Sequence, residues 1–254
     1  MLNTFINYNY LNQTIICSLI AFLSTTLGSL VVYFFKKVNK TILDIFLSLS
    51  TGIMLSSTIF SLIIPAAEIT EKNTFIYFLT LIGFILGALF IIITEKLFNN
   101  KINNKNKSLI ISMTLHNIPE SMSVGIAFAS AHFQNDNSLL ASAILLSIGI
   151  IIQNFPEGAA ISLPLKRNGY SNNKAFLWGM ISGIVEPISA VVGTIIAFKF
   201  KFILPISLTL ASGAMLFIII KELIPESQNN KYKNLTAFIS LFGFIIMMLL
   251  DNLF

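Results

Sequence analysis

Apolar stretches of about eighteen or more residues recur from one end of the chain to the other, divided by short polar breaks. A run of that length, wound as a helix, crosses a bilayer core of ~30 Å. The pattern predicts eight membrane spans, over 14–35, 42–65, 75–97, 108–131, 138–165, 175–198, 203–224 and 235–253. No segment between them is large enough for a separate soluble domain. Residues 1–254 therefore read as a single polytopic domain, an all-α membrane protein. The stretch NNKINNKNK (99–107) is polar and of low complexity, and reads as a flexible loop.

Charge gives these spans a direction. Only 11% of the residues are charged, against 55% hydrophobic, and the basic ones are unevenly placed. With the N-terminus outside, Lys36, Lys37, Lys40, Lys96, Lys101, Lys105, Lys107, Lys166, Arg167, Lys174, Lys221, Lys231 and Lys233 all fall on the inner side. Lys72, Lys199 and Lys201 alone remain outside, so 13 of the 16 basic residues are inner. Cytoplasmic loops carry this excess of Lys and Arg, and eight spans then place both termini outside. The net charge of +5 is thereby a matter of topology, and a nucleic-acid partner is not expected. The first span has no basic residue before it and a lysine pair after it, which suits a retained anchor better than a cleaved signal peptide. Cys17, the lone cysteine, has no partner for an internal disulfide and reads as a small apolar residue.

Short segments repeat. LSTGIML (49–55) in the second span matches LASGAML (210–216) in the seventh, and FLTLIGFI (78–85) in the third matches FISLFGFI (238–245) in the eighth. The offsets are 161 and 160 residues. The second span runs outward and the seventh inward, so the repeat is inverted, a plan recurrent among transporters that bind substrate near the bilayer midplane. HNIPES (116–121) is echoed by QNFPEG (153–158), which makes the predicted arrangement three plus two plus three spans.

The central pair holds the unusual polar residues. His116 and Glu120 are four apart and Asn117 and Glu120 three apart, spacings that share a helix face, and Gln153, Asn154 and Glu157 repeat the geometry. Pro119 and Pro156 lack an N–H and leave the carbonyls of Leu115 and Ile152 without their helical partners. Glu186, in SGIVEPISA (182–190), adds a third carboxylate beside a third proline. A charged residue at a helix centre costs ~2.5–3.5 kcal/mol on insertion scales, and such residues face the bundle interior and mark function. One imidazole, amides and three carboxylates make a borderline-to-hard cation site, suited to zinc, iron(II), manganese or cadmium. His132, in AHFQNDN (131–137), reads as solvated. Glu68 and Glu71 at the outer end of the second span are either solvated or gather cations at an entrance. Glu222 and Glu226 stand at the inner end of the seventh, where Lys221 is placed to neutralise one of them.

HNIPE and NFPEG together resemble the paired metal-binding motifs of the ZIP family of divalent-metal transporters, in the same order and orientation. The likeness extends over essentially the whole chain, and IQNFPEGAAISLPL (152–165) and SGIVEP (182–187) are similar to its GufA-like branch. The resemblance implies eight helices with both termini outside, a homodimer in the lipid bilayer, and metal import into the cytoplasm, at the inner membrane of a bacterial cell. It implies a two-metal centre, with His116, Glu120, Gln153 and Glu157 at one position. Asn117, Asn154 and Glu186 line the other, and Glu120 and Glu157 bridge. It also implies an elevator-like shift of spans one, four, five and six against the rest. Two departures stand out: Ser121 replaces the glycine that often follows the first PE, and loop 99–107 lacks histidines. The metal, zinc first, is then cargo, and no cofactor or enzymatic activity is expected. Two rivals are an intramembrane metalloenzyme and a proton-coupled carrier of an organic solute. The first is opposed by the absence of H-E-x-x-H and the scarcity of histidine. The second would use the glutamates as proton relays. No P-loop appears, which speaks against ATP coupling within the chain.

Overall fold

The computed structural model describes residues 5–37, 39–70, 74–99, 105–134, 137–199 and 204–253. Side chains at 69, 74, 98, 99, 105–109, 112, 116, 204 and 251–253 lie outside that description, and so do Glu71, the His116 imidazole and most of the 99–107 loop. The described residues are helical, with no strand among them.

Helix α1 is Tyr10–Leu30, tightened into a 3-10 turn over Val31–Tyr33. Asn9 starts it by accepting the Asn12 N–H at 2.8 Å. Lys166 ends it, reaching across to the carbonyls of Val32, at 2.9 Å, and Phe35. Helix α2, Lys40–Ser57, begins on the Asn39 cap, widens into a π turn over Thr58–Ile63 and continues as Ile64–Thr70. Helices α3 (Thr74–Asn99), α4 (Lys105–Gln134) and α5 (Asn137–Arg167) follow. Gly169, at φ 92°, makes the left-handed turn after α5, a conformation costly for any residue with a Cβ. Helix α6 runs Asn172–Gly183, breaks at Ile184, and resumes as Val185–Lys199. Helix α7 (Leu204–Ile218) repeats the course of α2, with a π turn over Ile219–Leu223 and a continuation Ile224–Gln228. Helix α8 is Lys233–Leu253.

Seven of these stretches are long and apolar enough to cross a membrane: Tyr10–Tyr33, Lys40–Glu68, Phe75–Leu97, Asn137–Arg167, Asn172–Lys199, Pro205–Gln228 and Lys233–Leu250. The predicted span 108–131 lies inside α4, which is not among the seven. The HNIPES stretch dilutes its hydropathy.

Four helix pairs touch backbone to backbone through glycine. A Cβ added to Gly28 of α1 would fall 1.9 Å from the Phe155 carbonyl oxygen of α5, and one on Gly158 would fall 2.0 Å from that of Thr25. In α4 and α6 the same relation joins Gly125 to Ala190 at 1.9 Å and Gly193 to Met122 at 2.3 Å. Gly52 of α2 meets Ser240 of α8 at 1.8 Å, while Gly87 of α3 meets Leu210 of α7 at 1.9 Å and Gly213 meets Phe84 at 2.0 Å. Small residues of this kind let membrane helices approach closely where no water is left to drive them together. Gly149 of α5 differs, because its nearest neighbour is the mobile end of Met247 on α8, at 2.4 Å from an added Cβ. Ser121 is buried, and the close α4–α6 contact is made one turn later by Gly125.

Candidate metal centre

Three helices deliver the polar residues singled out in the sequence to one level of the bundle. Helix α4 carries Asn117 and Glu120, α5 carries Gln153, Asn154 and Glu157, and α6 carries Glu186. All six are buried, none more than 3% exposed. Pro119 and Pro156 sit inside unbroken helices, whereas Pro187 accompanies the break in α6. Without an N–H, Pro187 cannot bond the Gly183 carbonyl four residues back, and the helix restarts at Val185 with Glu186 in its first turn.

The side chains meet in pairs. Gln153 Nε2 donates to Glu120 Oε1, linking α5 to α4. Asn154 Nδ2 donates to Glu186 Oε2 at 2.9 Å, linking α5 to α6. The Asn117 amide has two orientations: in one its nitrogen lies 3.5 Å from both Glu186 Oε1 and the Ser182 carbonyl. In the other it donates to Glu157 Oε1 at 2.6 Å and to the Met113 carbonyl at 3.1 Å. The second is the better assignment, since both bonds are then of ordinary length. Glu120 Oε2 and Asn154 Oδ1 are buried and accept no hydrogen bond from any described residue.

Chemically this is a set of carboxylates cross-linked by amides, each able to exchange an amide donor for a cation. Among the described residues, no three His, Cys, Asp or Glu side chains stand close enough to hold a metal ion as placed. The carboxylates are spaced by their amides, and the His116 side chain lies outside the description, so its place in the set is not fixed by these contacts. Glu68 and Glu226 are exposed, and Glu222 is half-buried. Lys221 forms its ion pair with Glu95 of α3, a partner not expected from sequence.

Residues 106–251 match the family model of the ZIP zinc transporters. The chain belongs to the ZIP family. Like zinc transporter ZIP11 of Xenopus tropicalis, to which it is 29% identical over 96% of its own length and 98% of that protein's, it matches relatives nearly end to end. Zinc transporter GufA of Myxococcus xanthus is 30% identical over 93% of this chain and 97% of its own. Zinc transporter ZIPB of Bordetella bronchiseptica is 29% identical over 91% and 78%. With seven such apolar helices among its described residues, this ZIP protein is an integral, multi-pass membrane protein.

The buried polar cluster also has neighbours that the sequence did not mark. Thr25 of α1 donates to Glu186 Oε1 at 2.6 Å, Ser57 of α2 lies 3.5 Å from Gln153 Oε1, and Ser24 donates to the Ile151 carbonyl at 2.5 Å. Each is one hydroxyl among many in apolar helices, with no motif to mark it.

Proposed function

We propose that this chain moves divalent metal cations, zinc foremost, across the membrane into the cytoplasm through its buried carboxylate centre. It acts as a carrier and not as an enzyme, and iron(II), manganese and cadmium are its further candidate cargoes. The observation that carries the reading is Glu120: a buried carboxylate whose Oε2 accepts no hydrogen bond from any described residue. A carboxylate oxygen left bare away from water demands a cation or a proton. Family membership and the zinc transporters among its relatives favour the cation.

In this reading His116, Glu120, Gln153 and Glu157 hold one metal, Asn117, Asn154 and Glu186 hold a second, and Glu120 and Glu157 bridge. The pairing of Gln153 with Glu120 and of Asn154 with Glu186 supports that division. The chain is a single polytopic domain of eight spans, with α4 as the eighth, in a three-two-three inverted repeat with both termini outside. Two observations speak for the repeat. The π turns of α2 and α7 each precede an Ile-Pro pair, and glycine contacts join α1 to α5 as they join α6 to α4. Glycine contacts also unite α1, α4, α5 and α6 in one set; in the second they pair α2 with α8 and α3 with α7, while Gly149 meets a flexible Met247 between the sets. A shift of the first set against the second is the motion this supports. The apolar outer faces of α3 and α8, with Phe78 and Phe238 exposed, suit lipid or the second copy of a homodimer, and a bacterial inner membrane is the setting.

Glu157→Gln keeps the volume of a bridging ligand and removes its charge. Zinc uptake by cells expressing this variant is expected to fall to background at normal membrane expression. Uptake near the wild-type rate would overturn the two-metal assignment.

A further inference from the structure

Helix α1 supplies no member of the metal set, yet one of its side chains reaches the centre. Thr25 is fully buried, and its hydroxyl donates to Glu186 Oε1 at 2.6 Å. That hydroxyl has a single proton and a second acceptor in reach, the Ala21 carbonyl at 3.4 Å. The contact to the Glu186 oxygen has ordinary O–H···O length at 2.6 Å, whereas 3.4 Å to the Ala21 carbonyl is well beyond it. The proton therefore points at Glu186.

Close packing keeps it there. The Thr25 carbonyl oxygen lies 2.0 Å from where a Cβ on Gly158 would fall, so α1 touches α5 at this level. One turn on, Ser29 donates to the Thr25 carbonyl at 2.9 Å and to that of Gly158 at 3.2 Å. On the α6 side, a Cβ on Gly183 would lie 3.0 Å from Glu186 Oε1 and 3.1 Å from the Thr25 methyl. Carboxylate and threonine share a slot that exists because position 183 has no side chain.

The two oxygens of Glu186 are thus held differently. Oε2 is held by Asn154, a neutral amide whose own Oδ1 is unbonded among the described residues, so that rotation of the amide both releases Oε2 and offers a new oxygen. Oε1 is held by a packed hydroxyl with nothing to exchange. We propose that Thr25 is a positioning residue for the metal position of Asn117, Asn154 and Glu186, retaining Oε1 and limiting Glu186 to ligation through Oε2. The proposal rests on Glu186 being a ligand. Single-oxygen ligation suits zinc, which is satisfied by four ligands, better than manganese, which favours six oxygens. Thr25 then biases the centre toward zinc.

Thr25→Val removes the hydroxyl at nearly constant volume, Thr25→Ala removes it without the extra methyl, and Thr25→Ser keeps it. Zinc and manganese binding to purified protein and uptake in cells are measured for each, beside Glu186→Gln. Groups that orient a metal ligand typically contribute 10–100-fold to affinity. Thr25→Val and Thr25→Ala are expected to raise the half-saturating zinc concentration by about tenfold or more and to raise manganese uptake relative to zinc. Thr25→Ser should restore both values. Wild-type affinity and metal ratio in the valine and alanine variants would overturn the proposal, as would a serine variant as impaired as valine, which would make Thr25 a packing residue. If Glu186→Gln binds zinc as the wild type does, the ligand assignment falls and Thr25 with it. If only Glu186→Gln is impaired, the assignment stands and the role of Thr25 falls.

Discussion

Gln153 occupies in α5 the place that His116 occupies in α4, and the difference has a chemical consequence. An amide oxygen is a weak ligand suited to harder cations, whereas an imidazole nitrogen favours zinc and its neighbours. In the structure the Gln153 amide is turned to give its nitrogen to Glu120, with its oxygen toward Ser57. It must rotate before it can ligate. In the proposed centre so weak a ligand would favour release, and a conducting site must not hold its ion too tightly. Gln153→His is therefore expected to lower the half-saturating zinc concentration, slow maximal turnover, and depress manganese uptake relative to zinc. Parallel uptake of the two metals measures all three. Unchanged affinity and rate for both would leave Gln153 as the α4–α5 hydrogen-bond partner seen here and no more. The seven candidate residues stood out in the sequence because carboxylates and amides at spacings of three and four are rare in apolar helices, and the six whose side chains are described are buried and joined by hydrogen bonds. Thr25 was not legible. Helix α1 carries Thr14, Ser18, Ser24, Thr25, Thr26 and Ser29. Of these, Thr14, Thr26 and Ser29 bond carbonyls four residues back in their own helix. Nothing in the sequence separates the hydroxyl that caps its own backbone from the one that crosses to a neighbour.

Among the elements, apolar run length located the helices well, since a span must be about twenty residues whatever it packs against. The interruptions within helices were harder to read. Pro187 and the break at Ile184 go together, but Pro119 and Pro156 have the same local chemistry and leave α4 and α5 unbroken. The difference lies in what surrounds each proline, which no local pattern records. The π turns were equally hidden, although each ends just before an Ile-Pro pair, Ile64-Pro65 and Ile224-Pro225. Glycine contacts allow a contrast between rigid and yielding seams. Gly87→Leu would drive a side chain into the α7 backbone at Leu210. It is expected to cost about 1–3 kcal/mol, the usual range for overpacking, read as a lowered thermal midpoint in detergent. Gly149→Leu meets first the end of Met247, with the Ser57 Cβ at an ordinary 3.5 Å from the added Cβ. It should unfold near the wild-type temperature, and a loss as large as that of Gly87→Leu would show this seam to be rigid too.

For the whole molecule, the lysine distribution remains the source of the proposed orientation, and it can be checked directly. Cys17 is buried and free, so Cys17→Ala gives a thiol-free background. In that background Asn137→Cys should react with an impermeant thiol reagent in intact cells, while Lys231→Cys should react only after the cells are opened. The reverse pattern would invert both the topology and the direction of transport. The proposed repeat bears on a different matter, how the two halves of the molecule have kept step. They run at an offset of 161 residues where LSTGIML meets LASGAML, and of 160 where Pro65 meets Pro225. The missing residue falls in the π turns, six residues long in α2 and five in α7. In a regular α-helix one residue more or less swings everything beyond it by roughly 100°, turning polar faces to lipid. A wide turn takes up the extra residue as girth instead, so one half can lose a residue while both continue to face the same way.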